Sequence, residues 1–238
     1  MKHADFPPGL HLVAILSLLV AAACAAWIAF DVRRHPQKMA IMNFVWPLTA
    51  LFGSVIWLWL YLRFGRLKGE GIPSDEQETP KWAAVAKGAS HCGAGCTLGD
   101  IIAEWFAFAV PAIAVWLGWH TIFSEKIFAV WILDYIVAFG LGIVFQYFTI
   151  KPMRDLSFGQ GVVQAVKADT ASITAWQVGM YGCMALIQFA WFKPAFGGVA
   201  EVNRPEFWFA MQLAMICGFA TAFPVNWWLI SAGIKERM

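Results

Sequence analysis

The chain has 238 residues, 60% of them hydrophobic and 13% charged, with a formal net charge of +2 and a mean hydropathy of +0.63. A soluble domain carries roughly 25% charged and about 45–50% apolar residues, so this composition excludes an ordinary soluble fold. The small net charge gives nucleic acid nothing to bind, and 14 Trp residues fit a membrane protein, because indole favours the boundary between hydrocarbon and water.

Six stretches reach the ~20 residues a helix needs to cross hydrocarbon. In chain order they lie near 10–30, 41–64, 97–118, 126–149, 171–192 and 207–230. They predict an all-α, polytopic transmembrane helix bundle of about six spans, forming a single integral membrane domain. The first stretch resembles a signal peptide, and Ala21-Ala22-Ala23-Cys24 has some likeness to a lipoprotein cleavage box. With only Lys2 as a basic leader, it reads as a retained first helix.

Two connections are long. Gly65 to Ser90 carries GEGIPSDEQETPK and then an amphipathic run suited to one interfacial helix. Lys151 to Asp169 ends in a run suited to a second. Pro47, Pro111 and Pro224 fall inside spans, where each removes a helical hydrogen bond. Gly140-Leu141-Gly142 and Gly179-x-x-Gly182 offer small surfaces for close helix packing.

Six spans place both termini on the side of the two long connections. That side holds Lys2, Arg63, Arg66, Lys68, Lys81, Lys87, Lys151, Arg154, Lys167, Lys235 and Arg237, 11 in all, against 6 opposite: Arg33, Arg34, Lys38, Lys126, Lys193 and Arg204. The positive-inside rule then favours a plasma (inner) membrane protein with cytoplasmic termini. The turn Arg33-Arg34-His35-Pro36-Gln37-Lys38 argues the other way.

Chemistry concentrates in SHCGAGCTLGDIIAEW, Ser90 to Trp105. Each step of four residues turns a helix by about 40°, so Cys96, Asp100 and Glu104 share a face about 80° wide. The glycines of Cys92-Gly-Ala-Gly-Cys96 predict a flexible loop leading into the helix, which would leave Cys92 and His91 at its mouth. Thr97-Leu98-Gly99-Asp100 resembles a capping box, giving Asp100 a structural alternative. Glu104 lies about 10 Å along the helix from that N-cap, and no Lys or Arg sits in the interior of a span to pair with it. An ionisable residue at such depth is a functional candidate.

His91, Cys92, Cys96, Asp100 and Glu104 thus form a candidate site for copper, zinc or iron. Topology adds Asp134, Asp169, Thr170, Gln177 and Asn226 as a candidate ion or proton path. Met180, Met184, Met211 and Met215, near Cys183 and Cys217, are candidate soft ligands for Cu(I); thioethers are also ordinary gap-fillers in cores.

The segments HPQKMAIMNFVWPLTALFG (35–53), HCGAGCTLGDIIAEW (91–105), KADTASITAWQVGM (167–180) and PVNWWLISAGIKERM (224–238) resemble an uncharacterised prokaryotic membrane family, a domain of unknown function with an HCGAGCTLGD signature. The resemblance implies a polytopic membrane fold and a link with metal handling, and supplies no catalytic residue. The leading expectation is a transition-metal binding or transport protein, not an enzyme, with the bilayer, a metal ion and a second copy or another membrane protein as partners. The alternatives are a thiol–disulfide oxidoreductase using Cys92 and Cys96, a proton-coupled ion transporter using Glu104, Asp134 and Asp169, and a non-catalytic partner subunit. No Walker loop, dinucleotide fingerprint or nucleophile elbow is present.

Overall fold

The computed structural model describes residues 4–37, 39–66, 79–151 and 157–235, and among them the structure is helical with no strand. The helices are α1 (Pro8–Arg34), α2 (Met42–Leu60, continued as a π-turn over Tyr61–Gly65), α3 (Lys81–Ala109), the short α4 (Ala112–Trp116) and α5 (Lys126–Ile150). They are followed by α6 (Phe158–Ala185, continued as a π-helical stretch over Leu186–Phe192), the short α7 (Lys193–Phe196) and α8 (Pro205–Ser231). Four segments have the length and apolarity to cross a membrane: α1, Met42–Gly65, α5 and α8. At 29 and 28 residues α3 and α6 are equally long. They are less apolar, and α3 turns most of its residues to protein, where polar side chains meet no lipid.

Met42–Gly65 is folded in two. Ser54 adopts φ 47°, ψ −129°, and the chain after it returns along the chain before it. Trp46 and Tyr61 stack edge-on with centroids 5.6 Å apart, and Trp57 packs on Phe52 at 4.8 Å. In one straight helix, 15 residues would separate Trp46 and Tyr61 by roughly 22 Å. The two arms therefore form a re-entrant helical hairpin with its tip at Gly53–Ser54, where a side chain on Gly53 would overlap the Trp57 indole. At its open end the Tyr61 hydroxyl donates to Asp31 Oδ2 at 2.7 Å, and Arg66 holds the same carboxylate from Nε at 2.9 Å and Nη2 at 3.0 Å. A backbone conformation of this kind costs a non-glycine residue about 1–3 kcal/mol. Ser54→Gly is accordingly expected to stabilise the protein by about 1 kcal/mol, seen as a higher unfolding temperature in detergent. A lower one would mean that the Ser54 side chain secures the turn.

The hairpin changes the topology expected from six spans. Asp5 N–H donates to Phe196 O at 3.0 Å and His11 meets Glu206 at 2.6 Å, so the start of α1 lies beside the end of α6 and the start of α8. Trp105 of α3 stacks with Trp208 there. At the other end, Lys81 at the start of α3 covers the Trp227 ring of α8. The chain thus runs the length of the bundle in α1, enters and leaves it from the far end through the hairpin, and runs its length again in α3, α5, α6 and α8. Asp5 and Lys235 consequently lie at opposite ends, called here the N-terminal and C-terminal ends. Six alternating spans would bring Asp5 and Lys235 to the same end; they lie apart because the hairpin returns to the end it entered from.

Glycine and alanine set the central packing. Helices gain little from the hydrophobic effect within lipid, so close backbone approach matters. A Cβ on Gly95 would lie 2.9 Å from the Gly142 nitrogen, and one on Gly99 would lie 2.7 Å from Ala138 Cα. Gly95 and Gly99 of α3, four apart, therefore seat against Ala138 and Gly142 of α5, also four apart. Gly99→Val is expected to force these backbones apart and cost at least about 2 kcal/mol of stability, readable by thermal unfolding; parental stability would contradict this packing.

Further expectations are corrected here. There is no loop at 92–96, since α3 is continuous from Lys81; its glycines mark contact with α5 and Trp176, not flexibility. The expected interfacial run before Ser90 is the beginning of α3. The run before Asp169 is likewise the beginning of α6, capped by Ser157 and Gln160. Part of each long connection, 67–78 and 152–156, lies outside the described residues. Pro111 ends α3 instead of kinking a span to 118, whereas α8 runs on past Pro224.

Candidate functional site

Because α3 is one helix, Cys92, Cys96, Asp100 and Glu104 recur every four residues along it, each turned by about 40° from the last. Thr97 is mid-helical, and its hydroxyl donates to Gly93 O at 2.6 Å. It is not an N-cap, so the structural alternative for Asp100 falls away.

The ladder meets different partners along its length. Toward the C-terminal end, Cys92 Sγ lies 2.8 Å from Ser172 Oγ and donates to Asp169 Oδ1 at 3.3 Å. Asn226 Nδ2 of α8 donates to the same Ser172 hydroxyl at 2.6 Å. Lys235 completes the group, its Nζ donating to Asp169 Oδ1 at 2.8 Å and to Cys92 Sγ at 3.3 Å. Lys235 arrives by a bend after α8: Gly233 takes φ 69°, and the N–H groups of Ile234 and Lys235 both donate to Leu229 O, a glycine-dependent helix stop. Burial works against the Lys235 ammonium, but Asp169 and Cys92 outweigh it and hold its pKa above the usual lysine value. Side-chain exposure in the Lys235–Asp169 pair is 0% for both partners.

His91 faces elsewhere. Its Nδ1 lies 3.2 Å from Thr149 Oγ1 of α5, and its Nε2 has no partner. His91, Cys92 and Cys96 therefore do not converge on one point. Among the described residues no group of three or more His, Cys, Asp or Glu stands ready to hold a metal ion.

Toward the N-terminal end the ladder is carboxylate. Asp100, Glu104 and Asp134 are all buried, the first two on α3 and the third facing them from α5. Both oxygens of Asp100, both of Asp134 and Oε1 of Glu104 have no hydrogen-bond partner. The three are close enough to act on one another electrostatically. Lys126, whose Nζ donates to Ala107 O at 3.2 Å, also acts on Glu104. The amides of Gln146 and Gln177 are buried and unpartnered as well. Buried polar groups are nearly always satisfied, so such a run calls for a reason other than packing. A cavity of about 310 Å³ reaches this part of α3 from between α1, the hairpin tip and α8, with Leu51, Phe52, Thr97, Asp100, Trp105 and Gln212 in its walls.

The remaining candidates divide. Gln177 and Asn226 lie in the interior, but Thr170 is exposed and its hydroxyl donates to Val166 O, so it does not join the path. Met180, Met184, Met211 and Met215 are buried core residues; Met215 Sδ accepts from Trp176 Nε1 at 3.4 Å. Sequence reasoning missed Lys235 and Thr149. Glycine followed by Ile234-Lys235 just past the last span was the available signal for the first; a threonine near the end of α5 gave none for the second.

The family profile described as domain of unknown function (DUF4396) matches residues 81–235, from the start of α3 to the buried lysine. The hairpin and α1 precede the matched region. No curated protein and no solved structure matches the chain.

Proposed function

We propose that this chain, which belongs to the DUF4396 family, is a membrane transporter that moves protons or a proton-coupled cation along its buried carboxylates. The observation that carries this reading is the facing set Asp100, Glu104 and Asp134, buried with no hydrogen-bonded partner on five of its oxygens. A carboxylate in such surroundings is costly unless a proton or cation shares the site. Gln177, Gln146 and His91 extend the polar run toward the C-terminal end, where the Asp169–Lys235 pair closes it.

A transition metal as cargo is the second reading. It is favoured by Cys96, a free buried thiol one turn from Asp100 on the same face of α3. We favour the oxidoreductase reading less, because the spacer between Cys92 and Cys96 is helical and Cys92 is held by Ser172, Asp169 and Lys235.

Five crossings and the hairpin also set the orientation we favour. Among the described residues, Arg33, Arg34, Arg63, Arg66, Lys81, Lys87, Lys151, Lys167 and Lys235 lie toward the C-terminal end, nine against the three of Lys126, Lys193 and Arg204. In a prokaryotic plasma membrane that end then faces the cytoplasm, and the Arg33-Arg34 turn no longer opposes the count.

The cargo is tested by purified protein in liposomes, with an internal pH dye and, separately, a dye for divalent transition metals. Proton flux that survives Cys92→Ser/Cys96→Ser supports the carboxylate path. Metal uptake lost in that double variant, with no proton flux in the parent, would replace it with the metal reading.

A further inference from the structure

Outside the polar run, one pair of reactive groups faces the bundle surface. Cys183 of α6 and Cys217 of α8 are both free and half-buried, with their sulfurs 2.9 Å apart. Only these two of the five cysteines are neither fully buried nor engaged by other side chains; Cys24, Cys92 and Cys96 are buried. The helices that carry them touch closely at the same level. A Cβ on Gly179 would lie 2.8 Å from Cys217 O, and the Thr221 hydroxyl donates to Ala175 O at 2.7 Å. Gly182, beside Cys183, has open space where a side chain would stand, so nothing from this residue screens the pair.

A disulfide needs two sulfurs that can close to about 2.05 Å without moving the backbone. The approach of Gly179 to Cys217 holds the backbones at near-contact, and the thiols already meet. We infer that Cys183 and Cys217 are a redox-modification site, closing to a disulfide that staples α6 to α8. In the step each thiol gives up its proton and the pair gives up two electrons as the S–S bond forms. The acceptor is a lipid-soluble two-electron oxidant of the quinone class, reduced to the quinol by those two electrons and two protons. A thiol pair at the lipid-facing surface of a membrane helix meets such an oxidant directly, whereas the buried Cys92 and Cys96 do not.

The inference is independent of the proposed transport, since none of its residues belongs to the carboxylate run. The test treats the full chain in membranes with a short-chain quinone, blocks remaining thiols with an alkylating reagent after denaturation, and maps the peptides by mass spectrometry. The expected result is a cross-linked peptide pair containing Cys183 and Cys217, with Cys24, Cys92 and Cys96 alkylated as free thiols. Cys217→Ser should leave Cys183 alkylated, and oxidation of the parent should slow amide exchange in 179–186 by about tenfold relative to reduced protein. Alkylation of both Cys183 and Cys217 after quinone treatment would overturn the inference, as would cross-linking that engages Cys92 or Cys96 instead.

Discussion

Asp134→Asn is expected to unfold at the parent's temperature or above it while losing at least about tenfold in ion flux. The carboxylate has both oxygens buried without a hydrogen bond, so no structural contact is lost when an isosteric amide replaces it. Whatever charge it carries must be desolvated at a cost of several kcal/mol. An amide carries no charge and leaves an unsatisfied group worth about 1–3 kcal/mol, so the balance favours the variant or comes out even. Residues that cost stability and improve it when neutralised are those retained for activity. A loss of more than about 2 kcal/mol on thermal or denaturant unfolding would show instead that Asp134 is a structural anchor. The same logic extends to Asp100→Asn and Glu104→Gln, with couplings expected among the three because they share one site.

Asp169→Ala should act in the opposite sense and strongly. It strips the counter-charge from a lysine whose side chain is 0% exposed, and breaking a buried pair from one side costs about 3–5 kcal/mol. It also leaves Cys92 with Ser172 and an unneutralised ammonium. Asp169→Asn/Lys235→Met removes both charges together and is expected to recover most of the loss, because a buried pair contributes little over apolar replacements. Equilibrium unfolding of the three chains in one detergent decides the matter. Asp169→Ala at parental stability would mean that water reaches Lys235. The prediction also separates roles: Asp169 and Lys235 pair with one another, whereas the carboxylates at the other end of the run are buried without hydrogen-bond partners.

The helical membrane fold was legible in long apolar runs, since apolarity over about 20 residues is a direct physical requirement of lipid. The hairpin was not. TALFGSVIWLWL reads as uninterrupted span, and only the Gly53-Ser54 dipeptide hints at reversal. An apolar run of that length satisfies lipid whether it crosses once or turns back inside a bundle. The same blindness shifted the charge count, because a single non-crossing segment exchanges the sides of everything before it. At the site, the azimuths of Cys96, Asp100 and Glu104 followed from spacing alone; the depth of Glu104 did not, because it was counted from an N-cap at Thr97 and α3 begins at Lys81. The glycines between Cys92 and Cys96 misled, because glycine weakens helices in water but permits close packing where backbone bonds have no solvent to turn to. Convergence of His91 with Cys92 could not be judged without that helix, for adjacent residues on a helix point about 100° apart. Lys235 reaches Asp169 only through a bend after α8, a tertiary event that local pattern does not encode.

The measurement that bears most directly on the carboxylate path is proton flux into liposomes holding the purified chain, driven by a pH gradient with valinomycin to dissipate the membrane potential. The parent is expected to acidify the lumen at a rate well above empty liposomes, and Glu104→Gln and Asp134→Asn, folded and inserted to the same extent, are expected to fall to the empty-liposome rate. Parental flux in both variants would contradict the path through these residues.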